Sequence, residues 1–360
     1  MKVLVVDDSV VFRSQITACL REIPGVQVVG SAANGRIALQ KIEQTSVDLV
    51  TLDMEMPELD GLATLREIRS RGLKLRSLVF SSHTTKGAEK ALQALALGAT
   101  DVIAKPAGDA QSFERASESI RERLVPKVVQ FMDPWLRSVR PPAAGAAAPM
   151  PAAPKSAALA TVPRKDLQLF RPHVCVIASS TGGPQALEIL LRSLPRKPAR
   201  PILIAQHMPP VFTEILAKRL GEATGLDVRE ARAEEVLAPG VVRICPGDWH
   251  LRLARNAKGE MLTKLAQDPA RNSVRPAADY LFESAADEFP GRCLGVVLTG
   301  MGEDGAAGAR RIRHRDGAVV IQDRESCVVF GMPGAVFAAG DFDAQGTLPE
   351  LGAILGARLG

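Results

Sequence analysis

Polar residues with chemical potential collect at the ends of short apolar runs in this sequence. In the first third, Asp7 and Asp8 follow KVLVV, Asp53 follows VDLVTL, Ser81 and Ser82 follow SLVF, and Lys105 follows DVIA. Carboxylates brought to one edge repel each other unless a hard cation lies among them, and magnesium with oxygen ligands and waters suits that role. Once their charge is balanced, one carboxylate can take up a phosphoryl group while the cation, lysine and hydroxyl share its charge. Any one of these residues alone reads as a strand-end cap. As a set, each following its own apolar run, they read as a site.

A second group begins in HVCVIASSTGGPQALEILL, residues 173–191. A β-branched run meets a Gly-Gly break, and leucines at helical spacing follow Pro184. Ser179, Ser180 and Thr181 fall on the turn, near backbone N–H groups and the positive end of a helix dipole, where an oxyanion or phosphate is stabilised. The spacing is neither the Gly-x-Ser-x-Gly elbow nor a dinucleotide or Walker loop. Taken alone, the stretch is equally compatible with a nucleophile and with a polar-capped strand-turn-helix junction. His207 ends the run PILIAQ, and Asp304 lies in the glycine-rich TGMGEDGAAG. Singly, the histidine could be structural and the aspartate a helix cap or Asx-turn. Together the three supply a serine nucleophile, a histidine base and an orienting aspartate. Gly182, Gly183 and the 300–305 loop permit close backbone approach to a developing oxyanion.

The elements that must carry these residues follow from periodicity. Up to residue 124, five strand-like runs alternate with helical patterns, the last helix near Ala110–Leu124. That implies a flavodoxin-like, doubly wound, five-stranded parallel sheet with its site at the carboxyl ends of the strands. From about Val125 the periodicity fails. Pro141 to Pro163 is almost entirely Ala, Pro and Gly, the composition of a tether. From about residue 171 a second doubly wound, mostly parallel α/β pattern starts. Val228–Ile244, Leu251–Leu253 and Met261–Leu265 read as a β-rich hairpin excursion. A helix is expected over Ala278–Phe289, strand over Cys293–Leu298, Ala318–Ile321 and Cys327–Phe330, and a turn at Gly331–Gly334. The organisation read is residues 1–124, a linker 125–170, and 171–360.

Composition narrows the function. The 360 residues allow two cores, and no apolar run approaches the ~18 residues that a membrane span needs. MKVLVVDDS lacks the pattern of a signal peptide. The five cysteines show no C-x-x-C pair, which argues against a disulfide framework or zinc site and for a reducing cytoplasm. A net charge of +5, spread out and with few aromatics, gives no nucleic-acid-binding signature.

VLVVDDS, LDMEMPELDG, SS and KP together resemble a response-regulator receiver domain over residues 1 to about 124. The resemblance implies phosphorylation of Asp53 by a histidine kinase of the CheA type. It implies Mg2+ held by Asp8, Asp53 and the backbone carbonyl of Glu55 with Asp7 assisting, and Ser81 and Lys105 as switch hydroxyl and phosphate-contacting lysine. IASSTGGPQAL, AQHMPPVFT, VVLTGMGEDGAAG and SCVVFGMPGA resemble the catalytic domain of the CheB family, from about Pro172 to the C-terminus. That family comprises chemotaxis protein-glutamate methylesterases that also deamidate glutamine. The family's triad falls on Ser180, His207 and Asp304, with Ser179 as an adjacent decoy and the backbones of Thr181 and Met301 as oxyanion donors. Ala178-Ser179 replaces the usual Gly-Ala before the serine, and Glu303 stands where Asn is frequent. The implied protein is a phosphorylation-activated esterase of methyl-accepting chemotaxis receptors, cytoplasmic and monomeric, with no cofactor in the esterase site. Its rivals are a catalytically inactive signalling adaptor, the same esterase in a non-motility pathway, and a receiver with a DNA-binding output.

Overall fold

The computed structural model describes residues 1–106, 113–139, 165–195 and 197–360. The Ala/Pro-rich stretch and the expected start of the fifth helix at Ala110 lie outside them. The chain builds two separate parallel sheets with helices on their faces, plus one antiparallel hairpin. Among the described residues no helix is long and apolar enough to cross a membrane.

The first sheet is made from β1 (Lys2–Val6), β2 (Gln27–Ala32), β3 (Leu49–Asp53), β4 (Arg76–Ser81) and β5 (Asp101–Ala104), in the order β2-β1-β3-β4-β5. Every pairing is parallel, so the strands are covered on both faces and read as continuous apolar runs. The helices between them are α1 (Val10–Arg21), α2 (Gly35–Gln44), α3 (Gly61–Ser70) and α4 (Thr85–Ala96). Each starts on a side-chain cap, from Ser9, Asn34, Asp60 and Thr84 respectively.

The last helix of this unit, α5, runs over Phe113–Val139, well past the expected stop at Leu124. Pro126 removes one helical hydrogen bond and obscures the periodicity. Val128, Phe131 and Met132 are nevertheless buried against Val3, Ile16 and Leu20, and the Arg76 guanidinium lies 5.3 Å from the centre of the Phe131 ring. The expected boundary at residue 124 therefore falls too early, since α5 packs into the first core at least as far as Met132.

The second sheet is made from β6 (Val174–Ser179), β7 (Ile202–Gln206), β8 (Asp227–Glu230), β9 (Val241–Ile244), then β12 (Cys293–Val297), β13 (Ala318–Gln322) and β14 (Ala344–Gly346). Its order is β14-β13-β12-β6-β7-β9-β8, all parallel. The helices of this half are α6 (Gly183–Arg192), α7 (Phe212–Thr224), α8 (Ala278–Glu288), α9 (Ala306–His314), α10 (Met332–Ala339) and α11 (Leu348–Leu359). Three expectations are corrected here. The stretch 228–244 belongs to the main sheet as its edge pair β8 and β9, so only β10 (His250–Arg255) and β11 (Met261–Ala266) form the hairpin. Cys327–Phe330 is no strand: its one sheet-like contact is an isolated bridge from Phe330 to Gly300. The presumed turn at Gly331–Gly334 instead opens α10, because Pro333 near its start suits a first helical turn.

Candidate active site

In each sheet the strand order reverses at one place, between β1 and β3 in the first and between β6 and β12 in the second. A crevice opens there at the carboxyl ends of the strands. Both groups of candidate residues sit at these reversals.

In the second crevice, Ser180 follows β6, and its N–H donates to the Thr299 carbonyl at 3.1 Å, which fixes the turn beside β12. Gly182 caps α6 with φ +79°, and a Cβ there would come within 2.6 Å of Val328. Gly300 faces the serine equally closely: a Cβ would stand 2.3 Å from Met332 Sδ and 2.9 Å from Ser180 Cβ. The N–H groups of Thr181 and Met301 donate to no described residue, which leaves them for a ligand. Ser179, although adjacent, is fully buried and donates to Gln206 Oε1 at 2.6 Å. The Gln206 amide in turn donates to the Ser180 carbonyl at 3.0 Å.

His207 Nε2 is 2.7 Å from Asp304 Oδ2. Asp304 also accepts from the Ala278 and Asp279 N–H groups at 2.5 and 3.2 Å, so it caps α8. Burial opposes its charge, but the imidazole and these N–H groups outweigh it and hold the carboxyl below the usual carboxylate range. With Nε2 committed to Asp304, Nδ1 is the ring nitrogen left for a proton from the serine. Ser180 Oγ makes no hydrogen bond to a described residue, so the serine-to-histidine contact is open here, as it commonly is before substrate binds. Asp279 and Asn272, which touch Asp304, were not singled out from sequence; an acidic residue in a first helical turn signals only a cap.

In the first crevice, Asp7, Asp8 and Asp53 each place an oxygen within 4.8 Å of the others. Lys105 Nζ lies 2.8 Å from Asp53 Oδ2 and 3.0 Å from Asp7 Oδ2. Burial pushes the Asp53 carboxyl up to about 6 against the pull of Lys105, and pushes Asp7 up as well. Burial also opposes the Lys105 charge, but Asp53 and Asp7 outweigh it and raise the ammonium. Asp7 Oδ2 is buried and accepts no hydrogen bond in line, despite the nearby ammonium. Crowded, reluctantly ionised carboxylates whose oxygens lie this close together fit a hard cation. Ser81, at the end of β4, donates to the Gly87 carbonyl at 2.6 Å, and the Glu55 carboxylate reaches Lys90 at 3.4 Å.

The first unit touches the second crevice from the amino end of β5, the sheet edge opposite Asp53. Asp101, at the start of β5, forms an ion pair with Lys127 of α5 and accepts a hydrogen bond from Thr181 Oγ1, the residue after the candidate nucleophile. Gln185 Nε2 donates to the Leu95 and Ala99 carbonyls at 2.7 and 3.0 Å, and Arg219 donates to the Leu92 carbonyl at 2.6 Å. Phe212 of α7 packs against Ala88, Ala91 and Ala104.

Comparison with known proteins finds two matched regions. The CheB methylesterase family matches residues 175–355, and the response regulator receiver domain matches residues 3–117. A protein-glutamate methylesterase/protein-glutamine glutaminase of Nocardioides sp. is 44% identical over 359 residues, covering 100% of this chain and 95% of its own length. One from Trichodesmium erythraeum is 42% identical, covering 100% of this chain and 99% of its own. The crystal structure of the Thermotoga maritima CheB methylesterase catalytic domain aligns with TM-score 0.50 and 40% identity, over 52% of this chain and 98% of that one.

Proposed function

The chain belongs to the CheB methylesterase family, and from that premise we propose that Ser180, His207 and Asp304 hydrolyse glutamyl methyl esters on chemoreceptors under control of phosphorylation at Asp53. The enzyme is a protein-glutamate methylesterase and protein-glutamine glutaminase. The observation that supports the residue assignment best is the His207–Asp304 pair beside Ser180, with two unspent N–H groups on the same crevice.

His207 Nδ1 takes the Ser180 hydroxyl proton as Oγ bonds to the glutamyl carbonyl carbon, and the carbonyl electrons move onto oxygen. That oxyanion meets the Thr181 and Met301 N–H groups. As it collapses, the C–OCH3 bond breaks and the imidazolium returns its proton to the departing methoxide, giving methanol. A water, deprotonated by His207, then attacks the acyl carbon; Ser180 regains its proton and the receptor carries a free glutamate. A glutamine amide follows the same course and releases ammonia. Asp304 keeps Nε2 protonated and stabilises the transient imidazolium.

In the receiver, Asp7, Asp8, Asp53 and the Glu55 carbonyl would hold Mg2+. Bound there, the ion offsets charge on a phosphoryl group received by Asp53. Lys105 pairs with that charge, and Ser81 leaves Gly87 to donate to it. The proposed phosphodonor is a CheA-type kinase and the proposed setting the cytoplasm, with the protein acting as a monomer. The contacts of Thr181, Gln185 and Arg219 with the receiver support a resting state in which that domain sits over the esterase crevice, and phosphorylation shifts the population away from it.

The test is methanol release from a methylated receptor cytoplasmic fragment, with and without a small-molecule phosphodonor and Mg2+. Release should rise with the phosphodonor and vanish in Ser180→Ala. Release that persists in Ser180→Ala refutes the nucleophile, and release indifferent to the phosphodonor refutes the control.

A further inference from the structure

We propose that Asp279, with Asn272, is a positioning residue of the esterase: together they lock the Asp304 carboxylate in the one orientation that serves His207. This rests on the triad reading above and deepens it.

The two helices that meet behind the triad cap each other. Asp304, just before α9, accepts from the first two N–H groups of α8. Asp279, the second residue of α8, turns its carboxylate the other way, and its Oδ1 accepts from the Gly305 and Gly308 N–H groups at 3.0 and 2.8 Å. Gly305, with φ +90°, has no side chain of its own to cap α9. The carboxylate that orients the base is therefore held at the start of a helix whose own N-terminus depends on Asp279.

Asn272 closes the arrangement. Its Nδ2 donates to Asp279 Oδ2 at 3.0 Å and to Asp304 Oδ1 at 3.1 Å. An ionised carboxylate offers about four acceptor positions. Those of Asp304 are filled by His207, Ala278 N, Asp279 N and Asn272. Three of those of Asp279 are filled by Gly305 N, Gly308 N and Asn272, and the Arg271 guanidinium forms an ion pair with it at 3.3 Å. Neither carboxylate can rotate without giving up a bond in a buried site, where an unmade bond is costly. Burial, then the neighbouring Asp304, raises the Asp279 carboxyl, and Arg271 offsets part of that pressure. A cap needed only for helix stability could be met by an exposed serine. A carboxylate that is 2% exposed, shares a donor with the triad and repels the triad's own charge is better explained by orientation.

The experiment measures methanol release by Asp279→Asn and Asn272→Ala in the full phosphorylated chain. Active sites are counted by stoichiometric labelling with a fluorophosphonate, so that misfolded protein does not enter kcat. Both variants should lose about tenfold in kcat per labelled site with KM unchanged, the signature of an interaction made in the transition state rather than in substrate binding. Asn272→Ala leaves both helix caps in place and should fold with only a modest loss of stability, so it decides the question if Asp279→Asn does not fold. Wild-type kcat in Asn272→Ala, or in folded Asp279→Asn, overturns the proposal. Activity surviving in Ser180→Ala would instead overturn the triad reading.

Discussion

At the scale of single residues, two neighbouring serines have opposite fates. Ser179, the last residue of β6, is buried against Gln206, whereas Ser180, the first residue beyond the strand, is partly exposed. Ser179→Ala should cost about 1 kcal/mol of stability by chemical denaturation and leave methanol release within a few-fold of wild type. Gly300→Ala should instead cost activity, along with some stability from overpacking. Its methyl would press on Ser180 and Met332, and a displacement near 1 Å in a reacting group costs about a hundredfold in kcat. In the receiver, the acid cluster sets a pH dependence whose sign is fixed. Asp53 titrates at about 6, above an ordinary carboxyl. It is therefore protonated in both states at low pH, and stability falls as pH rises from the ordinary carboxylate range through that value. Asp53→Asn should flatten that fall in calorimetric melts. Mg2+ should raise the melting temperature at about pH 8 and barely at about pH 5, where protons compete for the same oxygens.

At the scale of elements, what was legible and what was not divides along physical lines. Parallel strands buried on both faces are continuous apolar runs, so β1, β3, β6, β7 and β12 declare themselves, and with them the strand-end residues Asp7, Asp53, Ser180 and His207. Edge strands such as β8 carry Asp227, Arg229 and Glu230, and so look like an excursion. The reciprocal caps were illegible because Asp279 and Asp304 lie 25 positions apart and meet only through the packing of α8 on α9. The continuation of α5 was hidden by Pro126, whose local preference is overridden by tertiary burial. The consequence is testable: Phe131→Ala should destabilise the receiver by about 3–5 kcal/mol, as truncations of buried aromatic residues do. A receiver cut at residue 124 should melt far below one cut after Val139.

At the scale of the molecule, the receiver does more than lie near the crevice, since its Asp101 accepts from the hydroxyl of Thr181. Removing residues 1–139 should raise basal methanol release above that of the unphosphorylated full chain. Release unchanged by the deletion would rule out a covering role for the receiver.

Thr181 is the structural feature with the widest reach. Its hydroxyl is held by the receiver, while its N–H is one of the two proposed to meet the developing negative charge of the reaction. If the state released from Asp101 is the one that accepts substrate, coupling between the two sites must be mutual. A receptor helix occupying the crevice then acts as an effector of the receiver, tightening its hold on a phosphoryl mimic such as beryllofluoride by the same factor that the mimic tightens receptor binding. The substrate of such an enzyme is also a ligand that tells the switch when it is engaged.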